Sequence, residues 1–185
     1  MKLLTKAIIF ATEKHEGQKR KGTDIPYIVH PLEALSIAST LTNDENILAA
    51  AVLHDVVEDC EVSLSDIKFI FGEAVAHLVD SDSEDKRENL PAADTWHLRK
   101  QETINSIEKM DRESKIVVLA DKLSNMRAIY RDYNMLGDEL WLRFNCKDKN
   151  EHKWYYEQVA NKLESDFKHT EAHLEFIRLL HKVFK

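Results

Sequence analysis

The sequence predicts an all-α protein folded as a single-domain helical bundle. Helix-breaking residues are scarce, with 4 glycines and 3 prolines among 185 residues, and apolar residues recur at helical spacing along most of the chain. Hydrophobic residues make up 43% and charged residues 32%, which is typical of a globular domain long enough to bury a substantial core. We therefore expect one domain over residues 1–185, built from about eight to ten helices.

The helices are predicted in chain order from apolar periodicity and capping residues. Residues 3–17 form an amphipathic helix, and the polar loop GQKRKGTDIPY follows it. Pro31 suits the first turn of a helix over residues 31–41. Asp44 suits the N-cap of a third helix, which carries the segment NILAAAVLHDVVED.

The second half of the chain is also predicted to be helical. A short helix, a further helical stretch and a loop precede it. Ser63 and Asp66 form a capping box that begins a helix ending at Gly72. Asp94 or Thr95 is expected to cap the helix that follows the loop. The predicted segments are a continuation over 73–80, a loop over 81–94, and helices over 96–109, 112–131, 149–167 and 170–183.

Charge and cysteine content exclude several classes of protein. The net charge of −7 is opposite in sign to that expected of a nucleic-acid-binding domain. Cys60 and Cys146 are far apart and neither belongs to a CxxC pair, which argues against a disulfide scaffold. The apolar stretch at the N-terminus is interrupted by Lys6, so a helix is predicted there and not a signal peptide. We expect a cytoplasmic protein with no membrane and no nucleic-acid partner.

The third predicted helix carries charged residues in an apolar context. AAAVLHDVVEDC is apolar on nearly every face, which predicts burial, yet it contains His54, Asp55, Glu58 and Asp59. Burying several carboxylates is costly unless a partner such as a divalent cation offsets their desolvation. Adjacent residues lie about 100° apart on a helix, so His54 and Asp55 can lean toward one ion. The acidic pair one turn later could then approach a water molecule. Alternatively, this helix end simply reaches solvent.

Two other segments place possible ligands in apolar surroundings. Asp121 directly follows the apolar run IVVLA, and His30 stands at a predicted helix start, where by itself it would be read as a core or capping histidine. The combined set of two imidazoles and two carboxylates suits Mn²⁺, Fe²⁺, Zn²⁺ or Co²⁺ and leaves positions open for water and substrate. Its members are His30, His54, Asp55 and Asp121.

These motifs resemble a known family. The ordered set of two histidines and two aspartates resembles the HD superfamily of metal-dependent phosphohydrolases. The strings GQKRKGTDIPYIVHPLEAL, AAVLHDVVEDC, FGEAVAHLVD and VVLADKLSNMRAI are similar to the hydrolase domain of RelA/SpoT proteins, and most similar to the stand-alone small alarmone hydrolases. The resemblance covers residues 1–131. It implies an HD-type fold and a ppGpp 3′-pyrophosphohydrolase that releases pyrophosphate through a metal-activated water.

The resemblance also implies roles for individual residues. The four residues of the ordered set match the metal ligands, with one ion, usually Mn²⁺. Glu58 and Asp59 match an acidic pair that activates the attacking water. Arg20 and Lys21 match cations around the guanine base, and Asn125 matches a substrate contact. Apart from the resemblance, negative charge develops on the transferring phosphoryl group, so nearby cations are candidates for binding phosphate: Lys86, Arg99, Lys100 and Lys122.

The sequence departs from the family pattern in two places. Cys60 stands where the family usually has threonine, and residues 80–100 follow the family outline only loosely. The alternatives are therefore an HD hydrolase acting on another nucleotide or phosphate ester, and an HD domain that binds nucleotide without catalysis. Alternatively, Arg99 is an ordinary surface residue of its helix. Some HD proteins bind a second metal through extra histidines, and His77 and His97 lie in the corresponding interval.

Overall fold

A computed structural model describes residues 1–83, 87 and 89–185. Within these residues every regular element is a helix, with ten α-helices and one 3-10 helix. The predicted all-α class is confirmed. The chain divides into two compact units, residues 1–83 with 110–121 and residues 84–109 with 122–185.

The first unit has the apolar helix α3 in its core. Five consecutive residues of this helix, 49–53, are completely buried, and α3 packs against α1, α2 and α6. An α-helix that is apolar all round needs such enclosure, because every face must be removed from water. The helices of this unit are α1 (Leu3–Lys14), α2 (Val29–Ala38), α3 (Glu45–Leu53), α4 (Val56–Asp59), α5 (Leu64–Phe71), α6 (Glu73–Asp82) and the first part of α8 (Arg112–Leu136).

The second unit has an aromatic core. Phe167 and Phe176 are almost completely buried, and the Trp141 ring stacks on Phe184 at a centroid distance of 5.5 Å. Helix α9 packs against both α7 and α10. The helices of this unit are α7 (Trp96–Ile107), the rest of α8, the 3-10 helix (Gly137–Arg143), α9 (Lys149–Phe167) and α10 (Glu171–Val183).

Two predicted helix caps are confirmed. The Asp44 side chain accepts a hydrogen bond from the Asn46 backbone N–H and caps α3. Ser63 and Asp66 form the reciprocal capping box of α5. Thr95, one of the two residues predicted to cap α7, occupies the N-cap position, but its hydroxyl accepts a hydrogen bond from Arg99 Nε and makes no capping bond to the helix backbone.

The predicted third helix is two helices. Helix α3 ends at Leu53 and the single-turn α4 begins at Val56. Asp55 between them has φ −92° and ψ −7°, in the sparsely populated bridge region where active-site residues often lie. The periodicity of apolar residues runs through this turn, so the sequence alone did not indicate it.

Other boundaries also differ from prediction. Helix α1 ends at Lys14, and α6 is a separate helix because Gly72, with φ 96°, ends α5. Helix α8 continues to Leu136, beyond the predicted end at residue 131. The 3-10 helix was not predicted. None of the helices within the described residues has the length and apolarity required to cross a membrane.

Candidate metal centre

Three segments of the first unit bring the four predicted metal ligands together. His30 is the second residue of α2, His54 directly follows α3, and Asp121 lies in α8. The turn after α3 carries Asp55. The exposed fraction of the side chain is small in every case: 3% for His30, 2% for His54, 6% for Asp121 and 17% for Asp55.

The ligand atoms converge on one point. His30 Nε2 lies 3.1 Å from His54 Nε2 and 3.0 Å from Asp121 Oδ1. Asp55 Oδ2 lies 3.0 Å from His54 Nε2 and 3.4 Å from His30 Nε2. The ligand atoms of His30, His54 and Asp121 all lie within 4.8 Å of one another.

These distances fit a bound divalent cation. Two ligands with bonds of about 2.1 Å are about 3.0 Å apart at a right angle and about 3.4 Å apart at a tetrahedral angle. The observed separations run from 3.0 to 3.5 Å and nearly coincide with this range. Two imidazole nitrogens facing each other between two carboxylates also form the mixed nitrogen and oxygen set that transition metals accept.

His54 is held in the tautomer that a metal ligand requires. Its Nδ1 donates a hydrogen bond to the Ala51 carbonyl oxygen at 2.9 Å, so the lone pair is on Nε2, which faces the cluster. Burial opposes protonation of this ring, but the charges and hydrogen bonds of Asp55 and Asp121 outweigh it and raise the pKa of His54 well above its usual value. The pocket therefore attracts positive charge.

Asp55 is held in its ionised form. Burial alone would raise the pKa of this carboxyl, but the imidazoles of His54 and His30 lower it well below its usual range. The Tyr27 hydroxyl also donates a hydrogen bond to Asp55 Oδ2 at 2.7 Å. Burial, followed by the charges of Asp55 and Asp59, raises the pKa of Tyr27, so its phenol stays protonated and remains a donor.

The acidic pair lies on the short helix that follows Asp55. Helix α4 carries Glu58, which is half-buried, and Asp59, which is exposed. The Asp59 backbone N–H donates to the Asp55 carbonyl oxygen at 2.9 Å. Both carboxylates thus follow the ligand Asp55 within one turn, although not on a continuation of α3 as predicted.

The two base-contact candidates lie at the tip of a hairpin-like loop between α1 and α2. A turn joins Arg20 to Thr23, with a hydrogen bond of 3.0 Å from the Thr23 N–H to the Arg20 carbonyl oxygen. Gly22 has φ 70° at the third position of this turn, where type II geometry favours glycine. Arg20 is half-buried and its guanidinium lies 5.5 Å from the Tyr27 ring centroid, whereas Lys21 is exposed.

The other substrate candidates belong to the second unit. Lys122 is buried and directly follows Asp121 in α8, and Asn125 lies one turn further along that helix. Arg99 contacts the Thr95 hydroxyl and the Ala92 carbonyl oxygen within its own unit. Lys86 lies outside the described residues.

The two extra histidines have partners of their own. His77 is exposed and lies 3.4 Å from Asp111, and His97 lies 2.6 Å from Glu151 and stacks on Trp154. Within the part of the chain that the structure describes, each is paired with one carboxylate. A second metal at these histidines stays a hypothesis of the sequence.

Sequence reasoning missed two residues that contact the site. Tyr27 binds Asp55, and Gln18 donates through Nε2 to the Asp59 carbonyl oxygen at 2.9 Å. Both belong to the loop that was examined only for its cations. A tyrosine three residues before a candidate ligand in a non-helical segment was a usable signal. No local pattern indicated the role of Gln18, which lies 41 residues from its partner.

A helical fold with this cluster of histidines and aspartates defines the class of HD-type metal-binding domains, and comparison with known proteins agrees. A family model described as HD domain matches residues 7–139. The chain therefore belongs to the HD-domain family, in the branch that contains the MESH1 proteins. The divalent-metal site expected from the sequence is a property of this family.

Three relatives illustrate the similarity. The chain is 34% identical over 142 residues to guanosine-3′,5′-bis(diphosphate) 3′-pyrophosphohydrolase MESH1 of Danio rerio, covering 75% of this chain and 73% of that protein. It is 34% identical to a Vibrio cholerae enzyme of the same activity, of which it spans 18%. The solved structure of a metazoan orthologue of SpoT that hydrolyses ppGpp superposes with a TM-score of 0.77 and 26% identity, over 98% of this chain and 96% of that one.

Proposed function

We propose that this chain is a manganese-dependent 3′-pyrophosphohydrolase of ppGpp, which releases pyrophosphate and leaves the 5′-diphosphate of guanosine. The observation that carries the proposal is the convergence of His30, His54, Asp55 and Asp121, with their ligand atoms 3.0 to 3.5 Å from their neighbours. The activity of the relatives described above indicates the substrate.

His30, His54, Asp55 and Asp121 would hold the cation. A divalent ion held there supplies Lewis acidity toward a phosphate oxygen and a water molecule. Mn²⁺ is proposed because nitrogen and oxygen ligands of this kind suit it, with Fe²⁺, Co²⁺ and Zn²⁺ as alternatives. Asp55 and Asp121 also neutralise part of the ion's charge in a buried pocket.

The acidic pair handles the proton. Glu58, half-buried and three residues after Asp55, accepts the proton of the attacking water, and Asp59 helps to orient that water. A bond forms between the oxygen of that water and the phosphorus attached to the ribose 3′-oxygen. The bond from this phosphorus to the 3′-oxygen breaks, its electron pair stays on the 3′-oxygen, and that oxygen takes up a proton from solvent to become the hydroxyl. Glu58 lies on α4 and is not one of the four proposed ligands, so different residues accept the proton and bind the metal.

Cations of the chain bind the substrate. Arg20 and Lys21 hold the guanine base at the loop tip, where Arg20 presents a flat guanidinium. Lys122 and Arg99, with Lys86, bind phosphate oxygens and stabilise the negative charge that develops during transfer. Asn125, on the helix that carries Asp121, completes the substrate contacts.

Product identification tests the proposal. Purified protein is stripped of metal, supplied with Mn²⁺ and incubated with ppGpp and a panel of mononucleotides. Pyrophosphate from ppGpp is the expected product. Inorganic phosphate from a mononucleotide would instead indicate a hydrolase of another substrate, and bound nucleotide without turnover under any divalent metal would indicate a binding domain.

The Asp121→Asn variant provides the first specific prediction. Loss of one charged ligand should reduce Mn²⁺ affinity and ppGpp turnover by at least about a hundredfold, while circular dichroism shows a folded helical protein. The matched control is His181→Gln, which alters an exposed histidine of α10 and should keep both. Unchanged turnover in Asp121→Asn would contradict the assignment.

A further inference from the structure

We infer that Tyr27 is a positioning residue that joins the metal site to the loop that holds the nucleobase. The effect of Tyr27 on nucleotide binding through Arg20 rests on the proposed function. Its effect on metal binding concerns Asp55 and the cation alone.

The hydroxyl of Tyr27 acts on the metal ligand. It donates at 2.7 Å to Oδ2 of Asp55, the same oxygen that lies 3.0 Å from His54 Nε2 and 3.4 Å from His30 Nε2. The donor therefore fixes the carboxylate in the orientation that turns Oδ2 toward the two imidazoles. Hydrogen bonds to ligating carboxylates orient them, and their removal commonly weakens metal binding by about ten- to a hundredfold.

The ring of Tyr27 acts on the substrate loop. The Arg20 guanidinium lies 5.5 Å from its centroid, and the buried His15 ring contacts it at 4.9 Å. The Tyr27 backbone N–H also donates to the Gln18 carbonyl oxygen at 2.9 Å, and so closes the base of the loop. One side chain thus touches a metal ligand at its tip and a base-contact residue at its face.

This arrangement separates two effects of the same residue. The hydroxyl governs the affinity for the metal, and the ring governs the orientation of Arg20. A residue needed only for folding would not divide its effects in this way between the metal and the nucleotide.

The experiment compares Tyr27→Phe and Tyr27→Leu with the wild type. Calorimetric titration of metal-free protein with Mn²⁺ should show affinity about tenfold weaker in both variants. At saturating Mn²⁺ the KM for ppGpp should be unchanged in Tyr27→Phe, and raised about two- to fivefold in Tyr27→Leu, which also loses the contact with the guanidinium. Tyr130→Phe, on α8 in the second unit, is the matched control and should equal the wild type.

The outcomes distinguish this inference from the proposed function. Wild-type Mn²⁺ affinity in Tyr27→Phe would overturn the inference, whatever the substrate is. Wild-type protein that binds Mn²⁺ without cleaving ppGpp would overturn the proposed function. The effect of Tyr27 on Mn²⁺ affinity would still be decided by the titration of Tyr27→Phe. If Tyr27→Phe stays unfolded even in excess Mn²⁺, Tyr27 serves the fold and the inference is wrong.

Discussion

At the scale of single residues, His54 shows that the site is built for a positive charge. Its Nδ1 is committed to the Ala51 carbonyl oxygen, and its Nε2 faces carboxylate oxygens of Asp55 and Asp121 at 3.0 and 3.5 Å. Without a metal, a proton on Nε2 supplies the positive charge that the carboxylates of Asp55 and Asp121 attract. Metal and proton therefore compete for one position.

This competition predicts how pH affects the stability of the metal-free protein. The raised pKa of His54 contributes stability that is complete below its unfolded value of 6.5 and is lost as pH rises toward the folded pKa. The lowered pKa of Asp55 contributes stability that is complete above its unfolded value of 3.8 and is lost as pH falls toward the folded pKa. Between pH 3.8 and pH 6.5, the stabilising contributions of both His54 and Asp55 are complete.

We therefore expect the melting temperature of metal-free protein to fall as pH is raised above about 6.5, whereas the stabilisation produced by excess Mn²⁺ should increase over the same range. Thermal melts across pH, with and without Mn²⁺, measure both trends. Asp121→Asn removes one of the carboxylates that hold the proton on His54, so its metal-free melting temperature should depend less on pH. A Mn²⁺ effect that shrinks with rising pH would refute this account.

At the scale of elements, the helix caps could be predicted from the sequence, whereas the turn at Asp55 could not. Asp44 and the pair Ser63 and Asp66 lie within three residues of the N–H groups that they cap, so composition and spacing indicated them. The turn that separates α4 from α3 has no Gly or Pro to mark it. Its geometry depends on tertiary contacts, including the hydrogen bond from Tyr27, which is 28 residues away.

One of these contacts holds α4 in place. Gln18 donates through Nε2 to the Asp59 carbonyl oxygen at 2.9 Å, and its Oε1 accepts from His15 Nδ1 at 2.8 Å. His15 is buried, so the amide of Gln18 is itself fixed. The side chain thereby connects the start of the loop that carries Arg20 and Lys21 to the C-terminal end of the helix that carries Glu58 and Asp59.

We predict that Gln18→Leu lowers kcat for ppGpp by about ten- to a hundredfold, because displacing a catalytic group by about an ångström has effects of that size. Mn²⁺ affinity should change little, since Asp55 keeps its bond to Tyr27. Steady-state kinetics at saturating Mn²⁺ and calorimetric titration separate the two quantities. The matched control is Gln101→Leu, which removes an amide bonded to Asn105 on α7. Equal losses in both variants would contradict a specific role for Gln18.

At the scale of the whole molecule, the division into two units could not be predicted from the sequence. The boundary at residues 121 and 122 falls inside the continuous helix α8, where no change of composition marks it. Arg127 in the second part of that helix forms a two-pronged ion pair with Glu175, with both hydrogen bonds at 2.7 Å. The same helix thus contributes the proposed metal ligand Asp121 to the first unit and the ion pair of Arg127 to the second.

This division predicts where metal binding will stabilise the chain. All four proposed ligands belong to the first unit, and a ligand stabilises the segments that must be folded to bind it. Addition of Mn²⁺ should therefore slow amide hydrogen exchange in α2, α3 and residues 112–121, while exchange in α9 and α10 changes little. Mass spectrometry of peptides from protein with and without Mn²⁺ measures this, and Asp121→Asn should show no slowing in either unit. If protection in α9 and α10 rises as much as in α3, the two units open as one cooperative body, and local stabilisation is the wrong description.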